Sequence, residues 1–94
     1  MLTADEGVLL DDLLVRWEQP HEIKVSEIMR DHGHGSGVTV YRRLISLQGK
    51  GLIDLRADPD DKRVKYVLPT SQAELYAESL KLGLASLVAA EKPA

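Results

Sequence analysis

Between Ser36 and Gly49 the apolar residues Val40, Leu44 and Leu47 recur at spacings of four and three, which puts them on one face of an α-helix. Tyr41 and Ile45 widen that stripe, and the opposite side carries Thr39, Arg42, Arg43 and Ser46. Ser36 is placed to cap the first turn with its hydroxyl oxygen, and Gly49 and Gly51 close the helix, which is predicted over 36–49. From Leu52 the pattern becomes an alternation. Ile53, Leu55 and Ala57 share one face of a strand, an Asp-Pro-Asp-Asp turn follows, and Val64, Tyr66 and Leu68 alternate on the way back, predicting a hairpin over 52–68.

Upstream, Leu10, Leu13, Leu14 and Trp17 mark a first helix over 1–19, ended by Pro20. Thr3 and Glu6 have the spacing of a capping box, and Asp5 and Glu6 suit the positive end of the helix dipole. Leu9 and Val15 fall outside the main face, so this helix either lies sandwiched in its own domain or turns a surplus face to a second subunit. A short strand around Ile23 is expected to join the hairpin, and a second helix over 25–32 buries Val25, Ile28 and Met29.

After Pro69 a last helix is predicted over 70–90, with Ser71 and Glu74 at capping-box spacing. Leu75, Tyr76, Leu80, Leu84, Leu87 and Val88 give it a wide apolar surface. A helix of about five turns, ~30 Å long, exceeds what the small core can cover. Dimerisation through the first and last helices is therefore expected, with Leu9, Leu13, Leu80, Leu84 and Leu87 at the interface. The fold class is mainly α with a small β-hairpin (α+β). Residues 1–94 form a single domain: a three-helix core, a wing and a C-terminal dimerisation helix, the outline of a winged helix-turn-helix.

Composition narrows the setting. A chain of 94 residues holds one core and no second lobe, and without Phe and with one Trp that core is built mostly of Leu, Val and Ile. The absence of cysteine excludes a disulfide framework and agrees with a reducing, cytoplasmic setting. No apolar run approaches the ~18 residues of a membrane span, so no membrane association is expected. The net charge of −3 argues at first against a polyanionic partner, but its distribution changes that. Residues 1–20 hold five acids against one base, whereas residues 21–68 hold nine bases against seven acids. Local potential rather than the sum governs phosphate binding.

Candidate chemistry is sparse. Gly33, Gly35 and Gly37 alternate, but no Gly-Lys-Ser/Thr follows, so no phosphate-cradling loop is expected. His32 and His34, with Asp31 beside them and His21 upstream, are the one candidate metal cluster. A glycine-rich loop without cysteine is a poor zinc site, and no metal or cofactor is expected. The acidic pairs Asp11–Asp12 and Asp60–Asp61 fall on a helix surface and a turn tip, where they are hydrated, and no serine sits in a nucleophile elbow. Catalysis is not expected.

The run TVYRRLISLQGKGLIDLRADPDDKRVKYVLPT resembles the recognition helix and wing of the MarR family of bacterial transcription factors. The family's Leu-x-x-x-Gly-Leu-Ile/Val is matched by Leu47 to Ile53, its wing Asp-x-Arg by Asp61-Lys62-Arg63, and its second helix by Val25 to Met29. The resemblance covers residues 22–72. It implies a homodimer on near-palindromic double-stranded DNA, with the recognition helix in the major groove and the wing at the minor groove. By position, it gives Ser36, Thr39, Arg42 and Arg43 the major-groove contacts. Arg63, steered by a salt bridge from Asp61, approaches the minor groove or phosphate, and Lys62 and Lys65 add phosphate contacts. The chain departs from the family in length, with one short helix before the motif and one after it, so the family's effector cleft for small molecules is not expected. Arg43 stands where an apolar residue is common, which means either an extra DNA contact or an arginine folded back onto an acidic neighbour.

The expected function is sequence-specific DNA binding as a transcriptional regulator. The alternative is a winged-helix module that binds protein and not DNA, supported by the acidic total. From Val38 to Leu52 the sequence has three bases and no acid, which favours DNA.

Overall fold

The computed structural model describes the backbone of residues 1–91, and the side chains of these residues except His32 and 84–91. Four helices, α1 (Ala4–Trp17), α2 (Val25–Arg30), α3 (Gly37–Gly49) and α4 (Ser71–Glu91), accompany two strands, β1 (Ile53–Ala57) and β2 (Lys65–Pro69). A 3₁₀ turn at His32–His34 separates α2 from α3, so α2 is shorter than the predicted 25–32. The architecture is mainly helical with one small antiparallel hairpin.

Local chemistry sets the ends of the helices. At α1 the Thr3 amide donates to Glu6 Oε1 (2.8 Å) and the Glu6 amide donates back to Thr3 Oγ1 (3.1 Å), completing the capping box. At α3 the Thr39 amide donates to Ser36 Oγ (3.3 Å). The C-terminus of α3 is a Schellman turn: the Leu52 amide donates to the Leu47 carbonyl, the Gly51 amide donates to the Gln48 carbonyl, and Gly51 adopts φ +77°. That left-handed conformation is the reason glycine is needed at 51. Thr70 caps α4, its Oγ1 accepting from the Ala73 amide (3.2 Å) and donating to the Gly51 carbonyl (2.7 Å). The cap is therefore Thr70 rather than Ser71, because Thr70 also ties the start of α4 to the end of α3.

The core lies where α1, α2 and α3 meet the hairpin. Val40, Leu44 and Leu47 of α3 are fully buried there, with Leu10 of α1, Ile28 of α2 and Ile53 of β1. Leu9 and Leu13, expected at a subunit interface, are both 0 % exposed inside this same core, which corrects that assignment. A side chain already enclosed by its own domain has no surface left for a second subunit. The exposed apolar residues of α1 are instead Val8 and Val15. On α4, Leu75, Leu80 and Leu82 are exposed, while Leu84 and Leu87, also expected at the interface, lie outside the described side chains.

The hairpin pairs Ile53 with Pro69, Leu55 with Val67, and Ala57 with Lys65. Val67 is the buried residue of β2, not Tyr66 or Leu68, so the inward face of the returning strand is the opposite of the one predicted. With a side-chain period of two, a shift of one residue in the turn exchanges the faces of a strand. Residues 23–24 form no full strand. They contribute one antiparallel bridge, Lys24 to Tyr66, and the Val67 amide donates to the Ile23 carbonyl (2.8 Å).

Trp17 fastens α1 to this edge, its Nε1 donating to the Val67 carbonyl across 2.9 Å. Replacing Trp17 with Phe removes the donor together with part of the indole that packs on the core, and is expected to cost at least about 1 kcal/mol in urea unfolding. Trp17→Phe unfolding at the wild-type midpoint would remove any structural weight from this bond.

Candidate nucleic-acid interface

The cationic side predicted for α3 divides into two parts. Arg43 turns back toward α1: its Nη1 donates to the His34 carbonyl (2.6 Å) and its Nη2 donates to Asp5 Oδ2 (3.3 Å). Of the two outcomes open for Arg43, the structure has the arginine folded onto an acidic neighbour. Ser46 also faces inward, donating to Glu6. Arg42 is exposed and, among the described residues, makes no hydrogen bond or ion pair. Ser36 and Thr39 sit at the N-terminal end of α3, the Ser36 hydroxyl donating to Thr39 Oγ1 across 3.0 Å. Ile45, expected to widen the buried stripe, is instead 42 % exposed, and Val38 is 64 % exposed.

Glu6 is the centre of the seam between α1 and α3. It is 3 % exposed and takes Lys50 Nζ at 2.5 Å, the Ser46 hydroxyl and the Thr3 amide. Lys50, then Ser46 and the Thr3 amide, hold its carboxyl down to about 2 against an ordinary 4.5, outweighing the cost of burial. Lys50 Nζ also donates to the Met1 carbonyl (2.8 Å). Sequence reading found the capping role of Glu6, which is local, and missed this one, whose partners stand 40 and 44 residues away.

A second ion-pair cluster supports the turn ahead of α3. Arg16 donates to Asp12 Oδ2 (3.1 Å) and to Asp31 Oδ2 (2.5 Å), and His34 Nε2 lies 2.7 Å from Asp12 Oδ2. Asp12, Asp31 and His34 bring one ligand-type atom each within 4.8 Å of one another. Arg16 already meets both carboxylates, so the cluster is occupied as an ion-pair network. His21 is exposed and belongs to no such group among the described residues.

The hairpin tip is shaped by carboxylates. Asp58 Oδ1 accepts from the amides of Asp60 (2.8 Å) and Asp61 (3.1 Å), and Oδ2 accepts from the Tyr66 hydroxyl (2.8 Å). The Asp60 amide first, then the Tyr66 hydroxyl and the Asp61 amide, hold Asp58 below its usual range, and the Tyr66 hydroxyl, donating to the Asp58 carboxylate, is pushed up to about 12. Asp61 takes Arg63 at its side chain, Nε to Oδ1 at 3.1 Å, and at its backbone amide at 3.0 Å. This is the salt bridge expected between Asp61 and Arg63. It leaves the Arg63 side chain 90 % exposed. Lys62 and Lys65 are exposed and carry no ion pair among the described residues. Between α2, α3 and the hairpin lies a groove of about 400 Å³, lined by Val25, Met29, Tyr41, Arg63, Val64 and Lys65.

Compared with known protein families, with curated proteins and with solved structures, the chain gives no match. Among the described residues no helix is long and apolar enough to cross a membrane.

Proposed function

We propose that the chain is a winged helix-turn-helix protein that binds double-stranded DNA sequence-specifically, as a homodimeric transcriptional regulator. The observation that carries this reading is the pairing pattern of the cations. Arg16, Arg43 and Lys50 are engaged by acids of their own domain, whereas Arg42 on the outer face of α3 and Lys62 and Lys65 on the hairpin are exposed without such partners. A polyanion needs cations that its own protein has not neutralised. Arg42 is the base-reading residue of this proposal, since a guanidinium can donate two hydrogen bonds to a guanine edge. Ser36 and Thr39, at the amide-rich start of α3, suit phosphate or base contacts, and Arg63, Lys62 and Lys65 hold the flanking backbone.

Exposed Val8, Val15, Leu75, Leu80 and Leu82 on α1 and α4 support self-association, and a groove of about 270 Å³ between these helices is lined by Leu14, Val15, Ala77 and Leu80. In such a dimer the two α3 helices would lie about one DNA turn, ~34 Å, apart.

The test is fluorescence anisotropy of the full chain on a duplex from the DNA upstream of its own gene, at low and moderate salt. Binding is expected to weaken steeply with salt, and Arg42→Ala to weaken it about tenfold, within the ~1–3 kcal/mol of a bidentate base contact. Arg43→Ala is expected to act mainly on stability, because its guanidinium is held by Asp5 and His34. Absence of binding to any duplex at low salt would overturn the proposal and turn the search to a protein partner.

A further inference from the structure

The outward ridge of α3 departs from what a solvent-facing helix needs. Val38, Arg42 and Ile45 are spaced four and three residues apart, so they share one line opposite the buried Val40, Leu44 and Leu47. Valine and isoleucine are weaker helix formers than the lysine, glutamate or alanine that an exposed position favours. Both are also stiff at χ1, so they present a fixed apolar surface at small entropic cost. A single exposed apolar residue needs no explanation. Two of them bracketing the one unpaired cation of the helix, on a single ridge, are a local departure of the kind that functional surfaces carry.

Along the helix axis Val38 lies ~6 Å and Ile45 ~4.5 Å from Arg42, each one to two steps of a duplex at ~3.4 Å per base. In the major groove the apolar feature within reach is the 5-methyl group of thymine, which methyl-bearing side chains contact, while arginine takes the O6 and N7 of guanine. We infer that α3 recognises a guanine flanked on both sides by thymines, with Arg42 on the guanine edge and Val38 and Ile45 covering the thymine methyl groups. A protein partner for this ridge is disfavoured by the charge around it: Arg42 at its centre, Lys62, Arg63 and Lys65 on the neighbouring hairpin, and no acid from Val38 to Leu52. This inference rests on the DNA-binding proposal and adds to it the base composition of the site.

The experiment separates the two. The full chain is used to select duplexes from a random-sequence pool, and the consensus duplex is remade with deoxyuridine, which lacks only the 5-methyl group, in place of each thymine in turn. A buried methyl is worth about 0.8 kcal/mol, so deoxyuridine beside the guanine is expected to weaken binding about fourfold per position, with no change at distant thymines. Val38→Ala and Ile45→Ala, both at exposed positions, should bind the thymine and deoxyuridine duplexes alike at one flank each, with the far-ultraviolet spectrum confirming that they fold. A consensus without thymine beside guanine, indifference of the wild type to deoxyuridine, or variants as sensitive as the wild type would each overturn the inference while leaving DNA binding intact. Failure to retain any duplex would overturn both.

Discussion

Leu44→Ala is expected to remove about 3 kcal/mol of unfolding free energy, and Ile45→Ala, one residue along the same helix, less than about 0.5 kcal/mol. Leu44 is wholly enclosed between α1, α2 and the hairpin, so truncation loses the transfer energy of three carbons and leaves a void that the close-packed helices fill only in part. Ile45 has 42 % of its surface in water already. For a domain of this length the total stability is on the order of 5–14 kcal/mol, so the first substitution removes a large share of it. With a urea slope of ~1 kcal/mol/M for a small domain, the midpoint followed by circular dichroism should fall by about 3 M for Leu44→Ala and hardly move for Ile45→Ala. Equal losses for the two would mean that α3 is rotated from the orientation described, and with it the assignment of Arg42 to the outer face.

Glu6→Gln is expected to cost about 3 to 4 kcal/mol at neutral pH. The carboxyl falls from an ordinary 4.5 to about 2 in the folded chain, and each unit is worth ~1.4 kcal/mol. A group whose folded value is depressed stabilises the native state fully above its unfolded value and loses that contribution as pH falls through the folded value. The wild type should therefore weaken progressively from about pH 5 down to about pH 2, and Glu6→Gln should lack that part of the slope, so the two stabilities converge in acid. Thermal unfolding at several pH values gives the comparison directly. A constant gap between wild type and Glu6→Gln down to pH 2 would show that the carboxylate charge is not what joins α1 to α3. Lys50→Met should mirror the loss at neutral pH, since it leaves the carboxylate buried with its principal partner gone.

What the sequence disclosed and what it hid divide along sequence separation. The stripe Val40, Leu44, Leu47, the caps at Thr3 and Ser36, the hairpin and the Asp61–Arg63 pair all depend on residues within a few positions of one another, and each is visible as spacing. Arg43 meeting Asp5 across 38 residues, and Glu6 meeting Lys50 across 44, leave no local trace, because nothing in the periodicity of one helix tells which neighbour will stand beside it. The enclosure of Leu9 and Leu13 in their own core, rather than at a subunit interface, is hidden for a related reason. A helix apolar on two sides has the same pattern whether its second side meets the same domain or another subunit. The inward face of β2 depended on the register, which is fixed by the residues between Ala57 and Lys65, where Asp58 draws the Asp60 and Asp61 amides and the Tyr66 hydroxyl around one carboxylate. Val38 and Ile45 stand four and three residues from Arg42, so their shared outward line is legible in spacing alone, whereas the burial that separates Ile45 from the Val40–Leu44–Leu47 stripe is not.

Trp17 is the one tryptophan of the chain, and its indole N–H ends on the backbone of β2. The protein thus carries a native fluorophore at the joint between its first helix and its hairpin. Any event that tilts the hairpin against α1 alters the polarity and hydrogen bonding felt by that ring and shifts its emission, without an attached dye.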